Sequence, residues 1–199
     1  MIVIAVGIIS PPVSGHIHPF AALGRELVAR GHRVTYFQMR DLEQKIRSEE
    51  LEYWPIGELD HPLGSLPESL AKLGTLGGQA ALRYTIRADA KTVVMVCRDA
   101  PEAVRAAGVE ALLVDQMEPA GGAVAEHLGI PFITICNALA INRDPIAPPP
   151  FTPWQFAQSP LARLRNRLGY AVSDWLTSPI AKVVDDYRAE WGLPRLERP

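Results

Sequence analysis

Residues 1–37, MIVIAVGIISPPVSGHIHPFAALGRELVARGHRVTYF, decide the fold. The continuous apolar run from Ile2 to Ile9 predicts a strand covered on both faces, the signature of a parallel sheet sandwiched by helices. Ser10-Pro11-Pro12 ends that run, Ser14-Gly15 follows, and a helix opens at about His16. Phe20, Leu23, Leu27 and Val28 recur at three- and four-residue spacing and give the helix one apolar stripe. Gly31 falls at the C′ position that stops a helix, and Arg33-Val34-Thr35-Tyr36-Phe37 begins the next strand. The segment is a βαβ unit with a histidine at the carboxyl edge of its first strand, where open α/β sheets bind ligands.

Outward from this unit the alternation continues. Asp41 to Glu50 reads as a polar helix, and Tyr53-Trp54-Pro55-Ile56 as a short third strand. Residues 57–79 are rich in Gly and Pro and suit a mobile loop holding a broken helix. Ala80 to Arg98 and Pro101 to Ala107 read as two helices, and Ala111-Leu112-Leu113-Val114-Asp115 as a strand ending in a carboxylate. Pro119 to Leu128 is a helix closed by Gly129, and Pro131 to Cys136 is another strand. Strands alternating with helices predict an α/β fold with a doubly wound, mostly parallel, Rossmann-like sheet.

Between 137 and 160 the character changes, with Pro145, Pro148, Pro149, Pro150 and Pro153 interleaved with Phe151, Trp154 and Phe156. Such a segment is stiff, and its aromatics need something to pack on; a loop pinned to its own domain is the simplest reading. Leu161 to Trp191 returns to helical periodicity, broken at Pro179. Within it Arg163, Arg165 and Arg167 alternate with Leu161, Leu164 and Leu168. That pattern fits either a solvated helix face or an interfacial helix touching anionic lipid as a peripheral membrane contact.

The 199 residues suffice for a full core. With 20 Lys+Arg against 22 Asp+Glu, nothing global argues for nucleic acid as a partner. Cys97 and Cys136 form no CxxC pair, and the apolar start lacks a basic n-region, so a cytoplasmic setting is expected. No stretch reaches the ~18 apolar residues of a membrane helix. Neither GxGxxG, GxxxxGK(S/T) nor GxSxG occurs.

The chemistry-bearing pair is His16 and Asp115. If their strands are neighbours, the strand ends bring imidazole and carboxylate into one crevice. A neutral histidine there accepts the proton of an attacking hydroxyl while the carboxylate fixes its tautomer. The plainer alternatives are a histidine that packs at a strand–helix turn and an Asp115 that caps the following helix. His18 forms a His-x-His pair with His16 and raises a metal site, but Pro19 and the helical periodicity place the pair in a turn, and no metal is expected.

Gly15-His16-x-x-Pro19 followed by Arg30-Gly31-His32-x-Val34-Thr35 resembles the first βαβ unit of the family 1, GT-B type glycosyltransferases, nearest to their bacterial macrolide and carotenoid branch. EHLGIPFITICNALA (126–140) and YRAEWGLP (187–194) extend the resemblance along the chain. The resemblance implies His16 as general base, Asp115 as its partner, and inverting transfer of a sugar from a UDP-sugar co-substrate to a small hydrophobic acceptor, a carotenoid or polyketide, with no metal or other cofactor. It implies diphosphate contacts from Ser14 and Gly15, and acceptor contacts from His18 (where the family usually carries Asn), Gln116, Met117, Asn137, Leu139, Phe151 and Trp154.

The chain then reads, over 1–199, as one acceptor-binding domain, with the C-terminal donor-binding domain of such enzymes absent. Alone it is expected to bind acceptor weakly and transfer essentially nothing. Two other readings stand beside this one: a non-catalytic module for hydrophobic ligands that pairs with a separate donor-binding chain, and a metal-dependent hydrolase using His16 and His18.

Overall fold

All five residues of β1 (Ala5–Ile9) are buried, as a strand with two apolar faces requires. The computed structural model describes residues 3–196, so Ile2, where the apolar run begins, and the last three residues lie outside it. After β1 come helix α1 (Ser14–Ala29), β2 (Arg33–Gln38), a 3-10 turn (Arg40–Leu42) leading into α2 (Glu43–Arg47), and β3 (Glu52–Pro55). Then follow α3 (Ser65–Gly74), α4 (Gly78–Ala106), β4 (Ala111–Asp115), α5 (Pro119–Leu128), β5 (Phe132–Ile135) and α6 (Pro160–Glu190).

The five strands form one parallel sheet in the order β3-β2-β1-β4-β5. Strand order reverses between β1 and β4, which pair with Ile9 opposite Val114. The alternation of side chains along each strand feeds two cores. On one face Val6, Ile8, Val34, Tyr36 and Leu113 meet Ile17, Phe20 and Ala21 of α1 and Ile46 of α2. On the other, Ile9, Phe37, Leu112 and Val114 meet Val93, Val96 and Ala100 of α4, Ala120 and Val124 of α5, and Val184 of α6. The sheet is therefore doubly wound, as its alternation of elements predicts.

Several local expectations change. The buried line of α1 is Ile17, Phe20, Ala21 and Gly24, with Leu23 and Leu27 at its margin, and Val28 lies outside it on the exposed side. Residues 57–79 contain a regular helix, α3. Pro101 and Pro179 do not break helices: each sits inside one continuous helix, α4 with 29 residues and α6 with 31. A proline removes one backbone bond, but in α4 Cys97, Ala100, Ala103 and Val104 on both sides of Pro101 bury the same face in the same core, and that packing outweighs the lost bond. Gly31 and Gly129 take positive φ, 86° and 67°, where the sequence places helix ends.

The prolyl-aromatic loop is pinned along α6. Asn166, fully buried, donates Nδ2 to the Pro145 carbonyl at 3.0 Å, and Arg143 pairs through both guanidinium nitrogens with Asp174. Trp154 packs on Gly169, with the Arg165 guanidinium 5.0 Å from its ring centre. At the end of α6, Arg188 donates to Glu126 of α5 and to the Pro194 carbonyl, and Trp191 stacks on His127 at 4.4 Å. The YRAEWGLP segment thus docks the helix onto α5.

Gly7 of β1 leaves no room for a side chain. A Cβ there would stand 2.6 Å from Leu112 Cδ2 and 2.9 Å from Phe37 Cε2. Gly7→Ala is expected to lower unfolding free energy by about 1–3 kcal/mol in urea titrations through overpacking. Gly74→Ala, at an end of α3 with open space around it, should instead leave stability unchanged or raise it by up to about 1 kcal/mol.

Candidate active site

The reversal of strand order between β1 and β4 opens a crevice at the carboxyl edge of the sheet. Two side chains meet there. Asp115 ends β4, one residue past the Ile9–Val114 pair, and is 1% exposed. His16 sits in the first turn of α1, which begins five residues after β1 ends. Its Nδ1 lies 2.7 Å from Asp115 Oδ2. With the Asp115 carboxylate as acceptor, Nδ1 is the donor of this bond, which leaves Nε2 as the ring nitrogen free for another partner. The imidazole keeps 20% of its surface open to solvent, whereas the Asp115 side chain has none.

Asp115 is held from three directions. Its Oδ1 accepts the Met117 backbone N–H at 2.8 Å, and its Oδ2 also accepts Asn137 Nδ2 at 3.1 Å. A buried carboxylate satisfied by three donors keeps one orientation and fixes the imidazole with it. The helix-capping alternative for Asp115 falls to another residue: Glu118 is the N-cap of α5 and accepts the Ala120 N–H.

A buried polar network, which sequence reading missed, holds the turn between β1 and α1. Ser10 Oγ and Tyr36 Oη are 2.6 Å apart, Gln38 Nε2 donates to the Ser10 carbonyl at 2.8 Å, and Tyr53 Oη donates to the Gln38 carbonyl at 3.0 Å. Burial pushes the Tyr36 phenol up, with the Asp115 charge adding to it, so this hydroxyl stays neutral. The available signal was Ser10, just past the apolar run of β1, and Gln38 at the end of β2.

The structure gathers only part of the expected site. Gln116, Met117, Asn137 and Leu139 lie around the dyad: Gln116 Nε2 donates to the Leu139 carbonyl at 2.8 Å, and the Met117 and Leu139 side chains are exposed. Ser14 and Gly15 open α1 beside His16, and Lys45 Nζ donates to Ser14 Oγ at 2.7 Å. Lys45 is a second residue that sequence reading passed over. His18 meets Glu49 at 3.3 Å instead of joining His16, because two residues along a helix turn through ~200°. Phe151 is exposed and Trp154 is spent on α6. A cavity of about 160 Å³ adjoins Asp115 between α5 and β5, lined by Glu118, Gly122, Phe132 and Thr134. That is below the ~300 Å³ at which small-molecule pockets begin.

Residues 13–136, from the entry to α1 through the end of β5, match the glycosyltransferase family 28 N-terminal domain. The match is to family 28, whereas the motifs by themselves resemble family 1. The chain is 38% identical over 185 residues to zeaxanthin glucosyltransferase of Pantoea ananas, covering 93% of this chain and 43% of that protein. It is 31% identical over 193 residues to the zeaxanthin glucosyltransferase of Pseudescherichia vulneris, covering 96% and 45%. It thus spans under half the length of these curated relatives. Its fold is similar to a crystal structure of the glycotransferase of kitacinnamycin, with TM-score 0.64 at 20% identity, covering 98% of this chain and 42% of that one.

Glu118 carries the titration this site adds to stability. Burial, ahead of the nearby Asp89 and Asp115 charges, pushes its carboxyl from 4.5 up to about 8. Between those values the folded chain keeps a proton that the unfolded chain releases, so stability falls as pH rises through that window and levels off above it. Against Glu118→Gln, wild type should lose up to ~1.4 kcal/mol per pH unit across this range. Thermal melts from pH 5 to pH 8 check this; parallel curves for the two proteins would contradict it.

Proposed function

The chain belongs to the glycosyltransferase family 28 N-terminal domains, and from that membership we propose that it is the acceptor-binding half of an inverting glycosyltransferase. The observation that carries the proposal is the His16–Asp115 hydrogen bond at the strand-order switch, with the His16 side chain one-fifth exposed and Asp115 buried. In this reading Nε2 takes the proton of an acceptor hydroxyl as the oxygen attacks the anomeric carbon of a UDP-sugar. A C–O bond forms, the bond to the diphosphate oxygen breaks, and UDP leaves with that electron pair. The attack comes from the face opposite the leaving group, so the anomeric centre inverts. Asp115 stabilises the imidazolium that develops on His16.

The proposed acceptor is a hydroxylated carotenoid or a molecule of similar shape, and the proposed sugar is glucose, since two curated relatives are named for zeaxanthin and glucose transfer. Exposed Met117 and Leu139, with Gln116 and Asn137 between them, suit a flat apolar body carrying a hydroxyl. The N-terminus of α1 at Ser14 and Gly15 offers backbone N–H groups to the departing diphosphate. The rest of the nucleotide-sugar site is assigned to the additional length that the relatives have.

Transfer from UDP-glucose to a hydroxylated carotenoid by the full gene product tests this. His16→Ala and Asp115→Asn are each expected to reduce kcat/KM by about a hundred- to ten-thousandfold. His18→Ala, whose imidazole sits on Glu49, should change it less than about threefold. Turnover that survives His16→Ala would refute general-base catalysis by this residue. Carotenoid binding without turnover of any nucleotide sugar would favour a non-catalytic binding module.

A further inference from the structure

Helix α1 starts without a side-chain cap. Its N-cap residue is Val13, which has no side-chain oxygen to offer the free N–H groups, and no acidic residue stands in the first turn. The angle at which His16 leaves the helix is therefore set by residues 10–13, which connect β1 to α1. A slip of one residue at the helix start turns a side chain through ~100° and carries the imidazole away from Asp115.

One continuous path of hydrogen bonds ties this connection to β2. Ser10 Oγ donates its single proton to the Pro11 carbonyl at 3.2 Å, so the Tyr36 hydroxyl, 2.6 Å from Ser10 Oγ, is the donor between those two. The Pro11 carbonyl also accepts the Val13 N–H at 2.9 Å, and the Val13 carbonyl accepts the His16 N–H at 3.0 Å. Gln38 fixes the other side of Ser10 by donating to its carbonyl, and its amide oxygen accepts the Met39 N–H. Pro11 and Pro12 lock their own φ and keep the residues before them extended, which leaves the connection few other torsions to relax. The ring of Tyr36 is wholly buried, and phenylalanine would fill the same space. What the hydroxyl adds is the bond to Ser10.

We propose that Tyr36 and Ser10 are positioning residues for His16: their hydroxyls hold the entry to α1 at the angle that keeps Nδ1 on Asp115 Oδ2. The two neighbours of β1 in the sheet then share the task. Asp115 anchors the dyad from β4, and Tyr36 anchors it from β2. Neither hydroxyl touches substrate. The kinetic consequence rests on the reading of His16 as the base; the positional one does not.

The test compares Tyr36→Phe and Ser10→Ala with Thr35→Val in the full gene product. Thr35 is the residue before Tyr36 in β2, and its buried hydroxyl donates to Glu52, not to the connection. In protein labelled with 15N-histidine, wild type is expected to give one His16 ring signal with the proton on Nδ1. Tyr36→Phe and Ser10→Ala should broaden or split it, and Thr35→Val should leave it unchanged. With UDP-glucose and a hydroxylated carotenoid, the first two should lower kcat about tenfold and change KM less than about twofold. Together they should cost about as much as either alone, because both break one path. In a His16→Ala background, Tyr36→Phe should have no further effect. An unchanged His16 signal and kcat in the two folded variants would overturn the proposal, as would an equal loss in Thr35→Val. Turnover that survives His16→Ala while Tyr36→Phe still disturbs the His16 signal would refute the base and support the anchor.

Discussion

The parallel pairing of β1 with β4 is the constraint on which the rest of this structure depends. It places Ile9 opposite Val114, and so sets the end of one strand beside the end of another that follows it by a hundred residues. The two residues of the proposed dyad are the next residue or turn along: Asp115 immediately after Val114, and His16 in the helix that follows β1. Without that pairing the two side chains have no reason to meet. With it, the sheet's change of winding direction leaves a crevice that neither α1 nor α5 fills.

Much of this was legible because strong local signals agreed with the global fold. Of the apolar run read from Ile2 to Ile9, Ala5–Ile9 form the strand buried on both sides, while Val3 ahead of it is exposed; Gly31 and Gly129 stand where helices must stop. Ala111 to Asp115 is apolar with a terminal carboxylate, and the structure gives that strand the same limits. What was not legible depended on tertiary packing. Pro101 and Pro179 are breakers by local chemistry, yet α4 and α6 run through them, in α4 because residues on both sides of Pro101 bury one face. Val28 fits the helical stripe of α1 but lies past the part of the helix that meets the sheet. The Ser10–Tyr36–Gln38–Tyr53 network joins the turn after β1 to β2 and β3, and no local pattern encodes it.

The candidate site divides the same way. His16 and Asp115 were visible from strand ends and motif; the role of Asn137 as a third donor to Asp115 was not, because it requires β5 to lie beside β4. His18 looks like a partner in sequence and is turned aside by helical geometry. Trp154 and Phe151 come from a segment whose stiffness was readable but whose attachment to α6 was not. That attachment gives α6 a packed side and leaves Leu161, Leu164 and Leu168 exposed.

Membership of the glycosyltransferase family 28 N-terminal domains and the dyad at the switch point lead to one central claim: His16 Nε2 is the base that meets the acceptor hydroxyl. The most direct measurement is a crystal structure of the full gene product with UDP and a hydroxylated acceptor. The account predicts the acceptor oxygen at hydrogen-bond distance from His16 Nε2, about 2.6–3.2 Å, with Asp115 still on Nδ1. An acceptor hydroxyl seated elsewhere, with His16 Nε2 unengaged, would contradict it.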